Sequence, residues 1–191
     1  MRPLVLLDVD GVLNVLGDDG HAPWDVLLSG RATTDGMSFR ITWSPEVISR
    51  FKDWIESGVE VQWLTTWGQD ANRSLRHLVG LPELEVAGTY DERWRGTTEQ
   101  TEATSHAQLA PAAPDPLTGE WWKYDVVKRL LREHPDRLLI WIDDELFYPT
   151  PFRRWADDQE RVRPIGPDGD LGLTQDDLDE IAEQLGRAAQ P

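Results

Sequence analysis

Short apolar runs alternate with amphipathic segments along most of this chain. Continuous apolar runs predict β-strands over residues 4–7 and 138–142, and short stretches that mix apolar with polar residues predict strands over residues 59–64, 84–87 and 161–165. Apolar residues at helical spacing predict helices over residues 45–57 and 72–79, after residue 122, and after residue 174. Strands that alternate with helices form a mostly parallel sheet with helices on both faces. The pattern therefore predicts an α/β fold, a three-layer α/β/α sandwich.

Two segments depart from this alternation. Residues 24–28 and 38–43 predict a small β-hairpin joined by a loop over residues 29–36, because apolar and polar residues alternate along its second half. We expect the hairpin (24–43) to cover the end of the first strand as a flap, although a surface hairpin without contact to any site fits the pattern equally well. Residues 88–120 are mostly polar, with Thr-rich and Ala/Pro-rich pieces, and predict a long irregular loop or a minimal cap.

Composition narrows the class of protein. A chain of 191 residues is long enough for one core and short for two, so we expect a single domain over residues 1–191. The absence of cysteine excludes disulfides and thiol catalysis. No apolar run is long enough to span a bilayer and no signal segment precedes the first strand, so we expect a cytoplasmic protein without membrane contacts. The formal net charge of −16 disfavours extended docking on nucleic acid without excluding it.

The first strand ends in two carboxylates, Asp8 and Asp10, at a place where the preceding residues are all apolar. Carboxylates this close resist ionising together unless a cation neutralises them, and Mg²⁺ is a cation that prefers oxygen ligands. One carboxylate can then attack an electrophile while the other transfers protons. We expect Asp8 to be the nucleophile and Asp10 to be the general acid and base.

Two further strands end in polar residues of matching chemistry. The strand near residue 60 ends in Thr65-Thr66, whose hydroxyls can hold a phosphoryl oxygen without adding charge, and the strand at 138–142 ends in Asp143-Asp144. In an open parallel sheet, ligands bind beyond the carboxyl ends of the strands. These residues are therefore expected at one edge of the sheet, together with Asp8 and Asp10.

The run Asp8-Val9-Asp10-Gly11-Val12 resembles the first motif of the haloacid-dehalogenase-like (HAD) superfamily, in the form carried by its phosphatases. The resemblance implies a Rossmann-like fold, and no insertion here is large enough for a full-size cap domain. It implies that a Ser or Thr after the second motif's strand binds phosphate, for which Thr65 matches better than Thr66. It also implies a phosphate-binding lysine, for which Lys123 is the best match and Lys128 the second choice.

The same resemblance implies a Mg²⁺ site. Its ligands are expected to be Asp8, the backbone carbonyl of Asp10, and an acid of the fourth motif. Asp143 is the expected direct ligand with Asp144 beside it, and the reverse assignment stays open.

More narrowly, the chain resembles a bacterial HAD branch that is grouped with RNA-repair proteins. This resemblance rests on the stretch 63–67, on Trp122-Lys123 and on the stretch 141–144. The function implied is a Mg²⁺-dependent phosphatase of small phosphate monoesters, such as nucleotides or sugar phosphates, acting through an aspartyl-phosphate. The alternatives are a nucleic-acid end phosphatase linked to RNA repair, and a degenerate module that binds phosphate or a protein without turnover. The sequence does not indicate an oligomeric state.

Overall fold

A computed structural model describes residues 3–17, 23–89 and 121–188. Within these ranges the strands are β1 (Leu4–Leu7), β2 (Leu28–Thr34), β3 (Met37–Trp43), β4 (Glu60–Trp63), β5 (Glu85–Val86), β6 (Leu139–Ile142) and β7 (Val162–Ile165). The helices are α1 (Pro45–Glu56), α2 (Arg76–Val79), α3 (Trp122–Glu133), α4 (Pro151–Asp157) and α5 (Gln175–Ala188). A π-helical turn over Ala71–Leu75 leads directly into α2, and a 3-10 turn over Asp144–Leu146 follows β6.

The centre of the fold is a five-stranded parallel sheet with the strand order β5-β4-β1-β6-β7. Every residue of β1 is buried, because helices cover both faces of the sheet. Successive side chains point to opposite faces: Val5 and Leu7 pack with α1 and α5, whereas Leu4 and Leu6 pack with α3 and α4. The predicted three-layer α/β fold with a mostly parallel sheet is confirmed.

Local sequence sets where the helices begin. Ser44 caps α1, because its hydroxyl accepts a hydrogen bond from the Glu46 amide at 3.2 Å, and Pro45 occupies the first helical position. The pair Thr150-Pro151 starts α4 in the same way. The apolar periodicity does not predict α4, since this helix is only two turns long, but its cap is readable in the sequence.

The small hairpin is present, with boundaries that differ from the prediction. Its first strand spans Leu28–Thr34 rather than residues 24–28, so most of the predicted loop over residues 29–36 is strand. The turn consists of Asp35 and Gly36, both with positive φ (49° and 73°). Two residues with positive φ form the hairpin turn whose twist matches that of the strands it joins.

Strand β2 packs on α2 and on the π-helical turn before it. A Cβ on Gly30 would lie 2.5 Å from Leu78 Cδ1, so a larger residue at this position would displace the Leu78 side chain. Ala32 is buried in the core, and the Thr33 amide donates to Ser74 Oγ at 2.7 Å. Residues that are typical of loops therefore form a strand here, because tertiary contacts and cross-strand pairing decide their conformation.

The predicted loop or minimal cap over residues 88–120 lies outside the described residues, except for Gly88 and Thr89. In the part of the chain that the structure describes, no helix combines the length and the apolar character needed to cross a membrane.

Candidate active site

Two aspartates lie side by side at the carboxyl ends of β1 and β6. The parallel pairing of Leu7 with Ile142 places the next residues, Asp8 and Asp143, level with each other. Because side chains alternate along a strand, both acids continue the set of residues that faces α3. They are 5% and 0% exposed, respectively. Two buried carboxylates thus face the beginning of one helix.

Lys123 of α3 lies between these carboxylates. Its Nζ donates to Asp8 Oδ2, and to Asp143 Oδ2 at 2.7 Å. Burial alone would lower the pKa of Lys123, but Asp143 and Asp8 outweigh it and hold that pKa above its ordinary value. The second lysine considered from sequence, Lys128, instead places its Nζ 4.7 Å from the centroid of the Tyr124 ring. Lys123 is therefore the charged partner of the two acids.

A third acid, Asp144, completes the cluster. Asp8, Asp143 and Asp144 each offer one carboxylate oxygen, and these three atoms lie within 4.8 Å of one another. Two glycines leave the room that Asp144 occupies: a Cβ on Gly11 would lie 2.5 Å from Asp144 Oδ2, and a Cβ on Gly169 would lie 2.9 Å from it. Gly11 also adopts a φ of 69°, which disfavours other residues.

The three carboxylate oxygens of this cluster are suitable ligands for a hard divalent cation. Three carboxylates and one ammonium leave a formal charge of −3 + 1 = −2 in a largely buried place, and one divalent cation balances it. All the donors in this group are oxygen atoms, which Mg²⁺ and Ca²⁺ prefer. The residues present are therefore suited to hold Mg²⁺.

Protonation of the cluster reflects its burial. Burial raises the pKa of Asp143 above the ordinary value of 3.8, Lys123 opposes that rise, and Asp8 adds to it. For Asp144, burial and then the neighbouring charge of Asp8 raise the pKa to about 6. A cation that binds here replaces protons that the apo protein retains more tightly than a free aspartate does.

Asp10 lies among different partners. Its Oδ1 accepts a hydrogen bond from Asn14 Nδ2 at 2.8 Å, and its Oδ2 accepts one from Trp67 Nε1 at 2.8 Å. Both donors are neutral, and Asp10 is half-buried. Asp10 is thus held by neutral groups, whereas Asp8 is held by a cation.

The two predicted phosphate-binding threonines differ in exposure. The Leu64 amide donates to the Leu7 carbonyl at 2.9 Å, which brings the end of β4 beside the end of β1. Thr65 follows directly and is fully buried, and its Oγ1 accepts a hydrogen bond from the Trp67 amide at 3.3 Å. The Thr66 side chain is exposed.

Sequence reasoning does not identify Trp67, Asn14 or Gly169 as parts of this site. A signal exists for Trp67, because a buried indole N–H needs an acceptor and this tryptophan follows a strand that neighbours β1. A signal also exists for Asn14, which lies one turn after Asp10. Gly169 comes from the segment after β7, and nothing local in the sequence relates it to Asp144.

The sequence matches the family described as the HAD domain in Swiss Army Knife RNA repair proteins, over residues 4–178. A comparison with curated proteins finds no match. The matched range covers most of the chain and includes the acid cluster, Lys123 and the partners of Asp10. The superfamily resemblance of the first motif and the narrower resemblance to the RNA-repair branch are both confirmed.

Proposed function

This chain belongs to the family of HAD domains in Swiss Army Knife RNA repair proteins, and from that membership and its site we propose a Mg²⁺-dependent phosphatase. Its substrates are small phosphate monoesters, such as nucleotides or sugar phosphates, and its intermediate is an aspartyl-phosphate. The observation that carries this proposal is the buried lysine, Lys123, held between Asp8 and Asp143 beside a third acid.

Asp8 serves as the nucleophile. Its Oδ1 accepts a hydrogen bond from the Val9 amide at 2.7 Å and its Oδ2 accepts one from Lys123, so the carboxylate has a fixed orientation. An Asp8 oxygen attacks phosphorus, and the bond between phosphorus and the ester oxygen breaks. Lys123 and the buried Thr65 hold phosphoryl oxygens during this transfer, and the exposed Thr66 is the weaker candidate for that role.

Asp10 serves as the general acid and then as the general base. In the first half of the reaction it gives its proton to the leaving alkoxide oxygen. In the second half it takes a proton from the water that attacks phosphorus, which releases inorganic phosphate and regenerates the Asp8 carboxylate. Asp10 is suited to this role because it makes no ion pair with Lys123, in contrast to Asp8.

The Mg²⁺ ligands in this proposal are Asp8, the backbone carbonyl of Asp10, Asp143 and Asp144. The fit rests on the three clustered carboxylates and on the charge that they leave unbalanced. When bound, Mg²⁺ draws negative charge from the phosphoryl oxygens and offsets the repulsion between the substrate and the acids.

The family description favours a second candidate, a phosphatase acting on nucleic-acid ends, because the matching domains occur in RNA repair proteins. A net charge of −16 opposes long-range attraction of a polynucleotide. We therefore place small monoesters first. A module that binds phosphate or a protein without turnover is the third alternative.

The test is hydrolysis of p-nitrophenyl phosphate by the purified chain. We expect turnover with Mg²⁺, its loss in EDTA with recovery on adding Mg²⁺, and its loss in Asp8→Asn. Asp136→Asn, which changes an exposed aspartate in the turn before β6, is the matched control and keeps full activity.

Activity that persists in Asp8→Asn would contradict the mechanism. A folded wild-type protein that hydrolyses no phosphate ester would support the non-catalytic alternative. Comparing phosphorylated metabolites with 5′- and 3′-phosphorylated oligonucleotides then separates the two catalytic candidates.

A further inference from the structure

Both carboxylate oxygens of Asp10 accept hydrogen bonds, and both donor residues contact the hairpin formed by β2 and β3. Trp67 donates its indole N–H to Asp10 Oδ2 at 2.8 Å, and Asn14 donates its amide N–H to Asp10 Oδ1 at 2.8 Å. Both donors are buried: Trp67 is 4% exposed and Asn14 is 5% exposed. Buried donors of this kind restrict the rotation of the carboxylate about its side-chain bonds.

Packing contacts other than the hydrogen bond to Asp10 hold the Trp67 side chain in place. Its side chain is 4% exposed and belongs to the core cluster beneath α1 and α5. Its ring packs against Phe39 of β3 in an edge-to-face arrangement, with 6.2 Å between ring centroids and an interplanar angle of 65°. An indole N–H only donates hydrogen bonds, so the oxygen that it meets on Asp10 must act as the acceptor.

Asn14 is oriented by the same strand. The Thr42 amide of β3 donates to Asn14 Oδ1 at 2.9 Å, which leaves the Asn14 NH₂ group to face Asp10. The Val15 amide in turn donates to the Thr42 carbonyl at 2.8 Å, so the segment after Asp10 is tied to β3. Strand β3 therefore supports both donors of Asp10.

We propose that Trp67 is a positioning residue that, together with Asn14, aims the Asp10 carboxyl group for proton transfer, with β3 as the support of both. This inference rests on the proposed phosphatase function and on Asp10 as its acid and base. The two donors occupy one lone pair on each oxygen of Asp10. The proton that reaches the leaving group is thereby confined to the lone pairs that remain, which face away from Trp67 and Asn14.

The dependence of the rate on the leaving group tests this role. An acidic phenol such as p-nitrophenol leaves with little help from a proton, whereas an aliphatic alcohol requires one. In Trp67→Phe, which retains an aromatic ring but lacks the N–H, kcat/KM for an alkyl phosphate should fall roughly tenfold more than kcat/KM for p-nitrophenyl phosphate. That loss is part of the roughly 10²–10⁴-fold contribution of general acid–base catalysis.

The matched control is Trp24→Phe. Trp24 donates its indole N–H to the Leu173 carbonyl at 2.7 Å, so this variant loses a hydrogen bond of the same kind that does not involve Asp10. We expect Trp24→Phe to change kcat/KM only slightly, and by the same factor for both substrates. A third variant, Phe39→Ala, removes the aromatic contact from a side chain that is 41% exposed, and should show a smaller loss with the same substrate preference.

A double-mutant cycle separates positioning from general damage. In an Asp10→Asn background, Trp67→Phe should have no further effect on the alkyl ester, because the acid that it positions is gone. Equal losses on both substrates in Trp67→Phe and Phe39→Ala, or a full additional loss in the Asp10→Asn background, would overturn the positioning role while the phosphatase assignment stands. A wild-type protein without activity on either ester would refute the phosphatase assignment, and the positioning role with it.

Discussion

The environments of Asp8 and Asp10 differ although the two residues are separated by one position. Asp8 is 5% exposed and pairs with a buried cation, Lys123, in a cluster with two more carboxylates. Asp10 is half-buried and accepts hydrogen bonds from two neutral donors. In the proposed mechanism, the ion pair with Lys123 holds the nucleophilic carboxylate in place, whereas neutral donors orient the carboxyl group that transfers protons. We call Asp8, Lys123, Asp143 and Asp144 the charged half of the site. Asp10 with its two donors, Asn14 and Trp67, is the neutral half.

The contrast arises from the geometry of one strand. Asp8 continues the alternation of β1 and faces α3, where Lys123 lies in the first turn of the helix. The chain turns at Asp10, which pairs with Asn14 in a short bridge and meets Trp67 from the neighbouring strand end. Two identical side chains therefore have different partners, because the chain turns between them.

The largest expected effect separates the two aspartates in catalysis. Asp8→Asn should lower kcat by roughly 10⁴-fold or more on every phosphate ester, because no other group takes the place of a nucleophile. Asp10→Asn should lower kcat/KM for alkyl phosphates by roughly 10²–10⁴-fold and for p-nitrophenyl phosphate by much less. Steady-state kinetics on both esters measures this difference. Equal losses on both esters in the two variants would remove the distinction between the charged half and the neutral half.

The next effect concerns the stability of the charged half. Lys123→Met leaves Asp8 and Asp143 buried without their cation, and removing one partner of a buried ion pair costs about 3–5 kcal/mol of unfolding free energy. Lys128→Met, the matched control, loses a cation–π contact with Tyr124 and should cost about 1 kcal/mol or less. Urea unfolding in EDTA near neutral pH measures both values. Similar values for the two variants would show that the cluster does not depend on Lys123.

The smallest effect is the pH dependence of stability in the charged half. The folded-state pKa of Asp144 is raised from 3.8 to about 6, so the folded apo protein binds a proton more tightly than the unfolded chain does. This contribution to stability is fully present below the unfolded pKa and is lost as the pH rises through about 6. In the proposed site Mg²⁺ binds the ionised cluster, so its stabilising effect should grow over the same interval.

Thermal unfolding with and without Mg²⁺, at about pH 5 and about pH 8, measures this linkage. We expect a larger Mg²⁺-dependent rise in Tm at the higher pH, and a smaller pH dependence of that rise in Asp144→Asn. Asp136→Asn should behave as the wild type does. A rise in Tm that is the same at both pH values would contradict the raised pKa of Asp144 as a feature of the Mg²⁺ site.

Much of the fold could be predicted from sequence, because strands β1 and β6 are short apolar runs and each long helix has one apolar face. The hairpin boundaries could not, since Gly30 and Thr33 form a strand through contacts with Leu78 and Ser74, which lie in a different part of the sequence. Helix α4 is too short to show periodicity. These differences arise where tertiary contacts override local preference.

The candidate site also contains residues that the sequence reveals and residues that only the structure reveals. Asp8, Asp10 and Asp143 stand out in the sequence because charged residues directly follow buried strands. Trp67 does not stand out, since a tryptophan among apolar residues also fits an ordinary core position, and only the structure shows its N–H directed at Asp10. The donors of the neutral half therefore required a structure, whereas the acids of the charged half did not.

Chemical trapping of the intermediate tests Asp8 as the nucleophile most directly. Wild-type protein turning over p-nitrophenyl phosphate with Mg²⁺ is quenched in acid and reduced with borohydride, which converts a phosphorylated aspartate to homoserine. Peptide mass spectrometry should then find homoserine at residue 8, dependent on substrate and absent in EDTA. An active enzyme that shows the modification at another carboxylate, or no modification at residue 8, would contradict the nucleophilic role of Asp8.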